Sequence, residues 1–178
     1  MRTDRTFPLV RAFALLCLLV TAGCNRVDPS AFDQTIYTRV GKLDKALTAL
    51  DAPMKAVRAE KPVDATALQS AYTQALTICG EANAALKNLA VPADETSQTY
   101  YEASKRYLAA VHDHLLSDVS PLVEIAGDSS IPPSDKRRKV RSLIKAFRKG
   151  TDSLRTEAVE DQKRFAAAHG ILLDTGTQ

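Results

Sequence analysis

Residues 32–57, FDQTIYTRVGKLDKALTALDAPMKAV, carry apolar side chains at Phe32, Ile36, Val40, Leu43, Leu47, Leu50, Met54 and Val57. The steps are of four and three residues, so these side chains fall on one stripe of an α-helix. A strand would alternate, and a loop would show no period. Asp28 followed by Pro29 supplies the start: a capping carboxylate, then a residue whose fixed φ and missing N–H suit the first turn. Pro53 lies inside the stripe without disturbing its phase, which predicts a kink or short break near Asp51.

Three further stripes follow. Lys61, Pro62 and Val63 make a turn, Asp64 caps, and Leu68, Tyr72, Ala75, Cys79, Ala82, Leu86 and Leu89 repeat the same steps. Val91 and Pro92 end that helix, and Asp94 caps the next. Its stripe runs through Tyr101, Leu108, Val111, Leu115, Val119, Leu122 and Ile125, with a weak point at Ser104. Pro121 interrupts it late, and Gly127 is read as its closing glycine. After the connector Asp128 to Pro133, a loop with two prolines, Ser134 is the expected cap of the last helix, whose face is Val140, Leu143, Ile144, Phe147, Leu154, Ala158 and Phe165. Gly170 before Ile171 reads as its C-terminal cap.

Composition agrees. A hydrophobic fraction of 45% with 25% charged residues argues against disorder, and seven Gly with no Trp argue against a many-turned β-sandwich. Four amphipathic helices joined by short loops predict an all-α chain folded as an antiparallel up-down-up-down four-helix bundle. The bundle should span residues 29–170, leaving 171–178 as a tail. Gly41 and Gly80 fall at a similar height on adjacent helices, which predicts a close backbone approach there.

The N-terminal segment has a different character. Arg2, Arg5 and Arg11 precede an uncharged run from Ala12 to Val20, then Thr21, Ala22, Gly23 and Cys24. From Ala12 to Ala22 a helix would reach roughly 16 Å, short of a bilayer core and suited to a cleavable leader. The ending Val20-Thr21-Ala22-Gly23-Cys24 resembles the lipobox of bacterial lipoproteins, with Thr21 where Leu is usual. The resemblance covers this segment alone. It implies a signal peptide over residues 1–23, a diacylglyceryl thioether on Cys24, and acylation of the new amine, as by palmitate. Residues 24–28 would be the attachment cysteine and tether. Asn25, in place of the Asp that retains many lipoproteins at the inner membrane, implies the periplasmic face of an outer membrane.

Removing residues 1–23 takes away three Arg and one Asp, which lowers the net charge from +3 to +1. Global charge therefore names no partner, and no nucleic acid is expected. Cys79 sits on the second stripe without a disulfide partner, so a buried, inert thiol is expected. His112 and His114 are two apart and point to different sides of one helix, which excludes chelation from a single face. There is no Gly-x-Ser-x-Gly, no P-loop, no dinucleotide fingerprint and no Cys-x-x-Cys-His. No catalytic residue, metal ligand or cofactor is nominated, and an enzyme is not expected. Of the tyrosines, Tyr101 fits the stripe, while Tyr100 and Tyr107 are expected at an interface or against a neighbouring helix.

The start of the last helix is the most distinctive local feature. Lys136, Arg137, Arg138, Lys139, Arg141, Lys145, Arg148 and Lys149 face a single acid, Asp135. Cations there oppose the helix dipole. Asp118, Glu124 and Asp128 are the expected compensating charges, and residues 51–64 are expected to cancel internally. The remaining excess marks a candidate patch for an anionic partner, such as cell-wall carboxylates or an acidic protein surface. The expected role is thus a lipid-anchored envelope component that binds or supports another one. The alternative is a small-ligand or metal-carrier bundle, which would need an internal cavity with polar groups.

Overall fold

The computed structural model describes residues 27–61 and 63–173; the segment expected as a leader, and Cys24, lie outside the described residues. Within them the chain is helical, with no strand. Helix α1 spans Pro29–Arg58, α2 Ala65–Lys87, α3 Glu95–His114, α4 Ser120–Gly127 and α5 Pro133–His169. A π-helical turn, Leu115–Val119, joins α3 to α4 without a break, so the helices form four rods. None is long and apolar enough to cross a membrane.

Three starts follow the sequence. The carboxylates of Asp28, Asp64 and Asp94 accept from the N–H groups of Ser30, Ala67 and Ser97 at 3.0, 3.0 and 2.9 Å. These bonds satisfy donors that a first turn cannot pair internally. α5 departs from expectation: it begins at Pro133, and Pro132 instead of Ser134 holds the cap position, with no side-chain bond. The proline presets φ and removes one orphan donor itself. Gly127 is an ordinary last helical residue, followed by extended Asp128. Gly170 does adopt the left-handed conformation, at φ 66°, and Ile171 N–H reaches the Ala166 carbonyl at 2.9 Å.

The two internal prolines behave differently. α1 runs through Pro53 to Arg58 without splitting. Pro121 stands two residues after the π-turn, in the first turn of α4. In a regular helix its ring would meet the carbonyl of Ser117, and the wider turn loosens the ladder at that place.

α1 and α3 each pack against both α2 and α5, so the core lies between the four rods. Phe32, Ile36, Leu43 and Leu50 of α1 are buried there with Leu68, Cys79 and Leu86 of α2 and Leu108, Leu115 and Leu122 of the third rod. On α3 the stripe is shifted: Tyr100 and Tyr107 are buried, together with Ser104, while Tyr101 is half-buried and donates its hydroxyl to the Leu86 carbonyl at 3.0 Å. Phe32, Tyr100 and Phe165 form an aromatic cluster with ring centroids 5.3–5.9 Å apart. Gly41 and Gly80 make no close approach, since a Cβ on either would meet nothing within 4 Å. Shared height on two helices does not set which faces meet.

Polar pairs cross between rods along their length. Asp33 accepts from Gln162 at 2.9 Å, Asp44 from Arg155 at 2.7 Å, and Glu60 from Arg137 at 2.7 Å. Arg106 pairs with Glu157, and Asp94 lies 3.3 Å from His169.

Candidate functional site

The eight cations at the start of α5 divide into two groups. Lys136 donates to the Ala126 carbonyl at 3.1 Å, Arg137 pairs with Glu60, and Arg138 pairs with Asp135 at 3.1 Å. Lys139, Arg141, Lys145, Arg148 and Lys149 enter no ion pair among the described residues. The expected compensating acids are mostly engaged elsewhere. Asp118 bonds His114 at 2.6 Å. Asp128 accepts from the Ser130 hydroxyl and N–H, which lower its carboxyl below the usual range, with Lys136 and Lys139 adding a smaller electrostatic pull. Residues 51–64 form no ion pair among themselves either: Glu60 turns to Arg137, and Arg58 has no ion-pair partner among the described residues.

Arg141, Lys145, Arg148 and Lys149 lie on one face of α5 by their spacing of three and four. With Arg58 from the last turn of α1 they line an open concavity of about 380 Å³ over Ile144, with no carboxylate in its wall. Arg58 was hidden in the sequence because its neighbours' charges balance on paper. Only the fold shows which way Glu60 turns.

Next to this concavity is a cleft of about 300 Å³ between α1 and α5. Leu47, Leu50, Met54, Leu122, Leu143 and Phe147 form its apolar lining, and it shares Ile144 and Arg148 with the basic concavity. Its physical origin is incomplete closure of the α5 stripe: Leu143, Ile144 and Phe147 are only partly buried. α5 settles on α3 instead, where Gly150 lies directly against the His114 ring. His114 is held from its other side by Asp118, four residues on, across the π-turn.

One end of the cleft is closed by a polar lock. Asp44 accepts from the Tyr107 hydroxyl at 3.2 Å and from Arg155 at 2.7 Å. Burial pushes the Tyr107 hydroxyl well above its ordinary pKa, and the Asp44 charge adds to this. The bond to Asp44 raises Arg155 further, so both donors keep their protons at any ordinary pH. Asp51, Asp118 and Asp152 complete the charged rim. The cleft is thus apolar along its floor, has its Asp44-end cation paired, and is positive at the Arg58 end.

Cys79 is fully buried, its Sγ 3.5 Å from the Leu108 carbonyl. Burial pushes its thiol up to about 11, with the Asp113 charge assisting, which leaves it protonated and unreactive. His112 is half-exposed beside Asp113, and no group of three or more His, Cys, Asp or Glu among the described residues could hold a metal ion. No family model, curated protein or solved structure matches the chain.

Proposed function

We propose that this chain is a lipid-anchored protein of the bacterial envelope that binds an anionic component at the bundle end remote from its anchor. In this reading residues 1–23 are the signal peptide, Cys24 carries the lipid, residues 24–28 are the tether, and 29–170 form one domain ahead of the tail 171–178. The rods alternate up-down-up-down. Three series of contacts support that order: Asp33, Asp44 and Glu60 meet Gln162, Arg155 and Arg137; Cys79 and Leu86 meet Leu108 and Tyr101; Asp94, Arg106 and His114 meet His169, Glu157 and Gly150. In each, one number rises as the other falls.

The carrying observation is the face made by Arg58, Arg141, Lys145, Arg148 and Lys149, which holds no acid. Like charges gathered at one surface repel, and an anionic partner relieves that repulsion. α1 has 30 residues, so at ~1.5 Å per residue Arg58 stands roughly 45 Å from the tether. The face therefore looks away from the anchoring bilayer, toward the periplasm in this reading.

The test has two parts. Cys24→Ala should release the chain from membranes or leave its precursor uncleaved, and wild type should carry acyl mass. Wild type should be retained on purified cell wall at low salt and lost as salt rises, since exposed charges are screened over ~8–10 Å at physiological strength. The variant R141E/K145E/R148E should keep its helical spectrum and lose that retention. Equal retention of both proteins overturns the reading.

A further inference from the structure

The cleft and the basic concavity are one continuous feature. Along α1 the lining passes from Asp44 through Leu47, Asp51 and Met54 to Arg58. Along α5 it passes from Arg155 through Phe147 and Ile144 to Arg141. The acids belong to the middle and to the Asp44 end. Asp44 is taken by Arg155 and Tyr107, and Asp118 by His114, which leaves Asp51 near the middle of the slot and Asp152 one turn from Arg155, toward the Asp44 end. The opposite mouth carries cations alone.

A slot with an apolar floor, one end whose only cation is already paired with Asp44, and one positive mouth matches an anion with a hydrocarbon tail. We propose that this slot binds a single-chain amphiphilic anion. Its hydrocarbon chain lies over Leu47, Met54, Ile144 and Phe147. Its carboxylate or phosphate head rests among Arg58, Arg141, Lys145 and Arg148. The chain covers side chains that α5 leaves partly exposed. The head gains charge-assisted hydrogen bonds from guanidinium groups, whose forked donors suit carboxylate and phosphate oxygens. A volume of about 300 Å³ lies at the lower end of the ~300–1,000 Å³ found for ligand pockets, which favours one chain over two. This inference rests on the binding role proposed for the basic face, and adds the chain and its seat.

The experiment uses the full chain in phosphatidylcholine vesicles with a diazirine-bearing dodecanoate, photolysed and mapped by mass spectrometry. Label should concentrate in peptides covering residues 47–54 and 143–147. Unlabelled dodecanoate and dodecyl phosphate should compete, and inorganic phosphate and dodecyltrimethylammonium should not. Thr48→Trp, at the exposed rim, fills the cleft and should cut labelling by about tenfold while leaving cell-wall retention unchanged. R141E/K145E/R148E should raise the competing dodecanoate concentration by about tenfold. Label spread evenly over the surface, equal competition by the cationic amphiphile, or wild-type labelling in both variants overturns the inference. Competition by phosphatidylglycerol vesicles as strong as that by dodecanoate overturns the single-chain assignment in favour of a membrane lipid. Loss of cell-wall retention in Thr48→Trp overturns the assignment of wall binding to the basic face alone. Specific labelling without any wall retention by wild type overturns the cell-wall reading and leaves this one standing.

Discussion

Gly150 of α5 faces the imidazole of His114 so closely that a Cβ on Gly150 would fall 1.8 Å from Nε2. Replacing a mid-helix glycine by alanine ordinarily stabilises by roughly 0.5–1 kcal/mol. Here the ring cannot step aside without leaving Asp118, which holds its other nitrogen at 2.6 Å. Overpacking therefore wins, and Gly150→Ala should lower stability by about 1–3 kcal/mol in urea unfolding. The double variant G150A/H114A should be at least as stable as H114A alone, because the added methyl then meets no ring.

Asp44 ties three rods together through Tyr107 and Arg155. Tyr107 is buried, so losing its acceptor strands a hydroxyl away from water. Asp44→Ala should cost about 1–3 kcal/mol. Tyr107→Phe should cost less, and the double variant should cost less than the sum of the two. Strict additivity in urea unfolding would show that the hydroxyl and carboxylate are not coupled.

Asp94 is the one cap tied to another rod. Ser97 and Thr96 hydroxyls hold its carboxyl well below the usual range, with the Ser97 N–H and His169 adding to the effect. A lowered folded pKa adds stability that is complete above the unfolded value of 3.8 and is lost as pH falls below it. Asp94→Ala should therefore cost about 1 kcal/mol near neutrality. In thermal melts the gap to wild type should stay constant above about pH 5 and narrow between about pH 4 and pH 2.

Cys79 should resist alkylation in the folded chain even where a free thiol reacts readily, at about pH 8 to 9. Its modification, followed on the peptide that contains it, should track denaturant-induced opening of the bundle. Prompt modification without denaturant would contradict its burial.

The stripes on α1 and α2 were legible because apolar period and burial largely coincide there, at Phe32, Ile36, Leu43, Leu50 and Val57 and from Leu68 to Leu86. The caps at Asp28, Asp64 and Asp94 were legible because they act within three residues. α3 was harder: of two adjacent tyrosines, the stripe selected Tyr101, and the fold buries Tyr100 because it packs between Phe32 and Phe165. Buried Asp33 and Asp161 were invisible to any rule that sends charge outward. Asp33 is offset by Gln162 from a distant part of the chain, and Asp161 by Arg164 one turn away. At the candidate site, the cations of α5 were evident and the cleft was not. A gap between rods depends on how closely Gly150 lets α5 approach α3, which no pattern on α5 encodes.

The two ends of the molecule are not equally fastened. Phe32, Tyr100 and Phe165 interlock beside the start of α1, with the His169 ring tilted against Phe165 at 4.5 Å between centroids, while Leu143, Ile144 and Phe147 rest half-covered toward the other end. Mechanical load arriving through the chain before Pro29 thus enters at the stiff end and is spread across three rods at once. Leu143, Ile144 and Phe147 stand apart from that cluster, so local opening of α5 is expected to begin there.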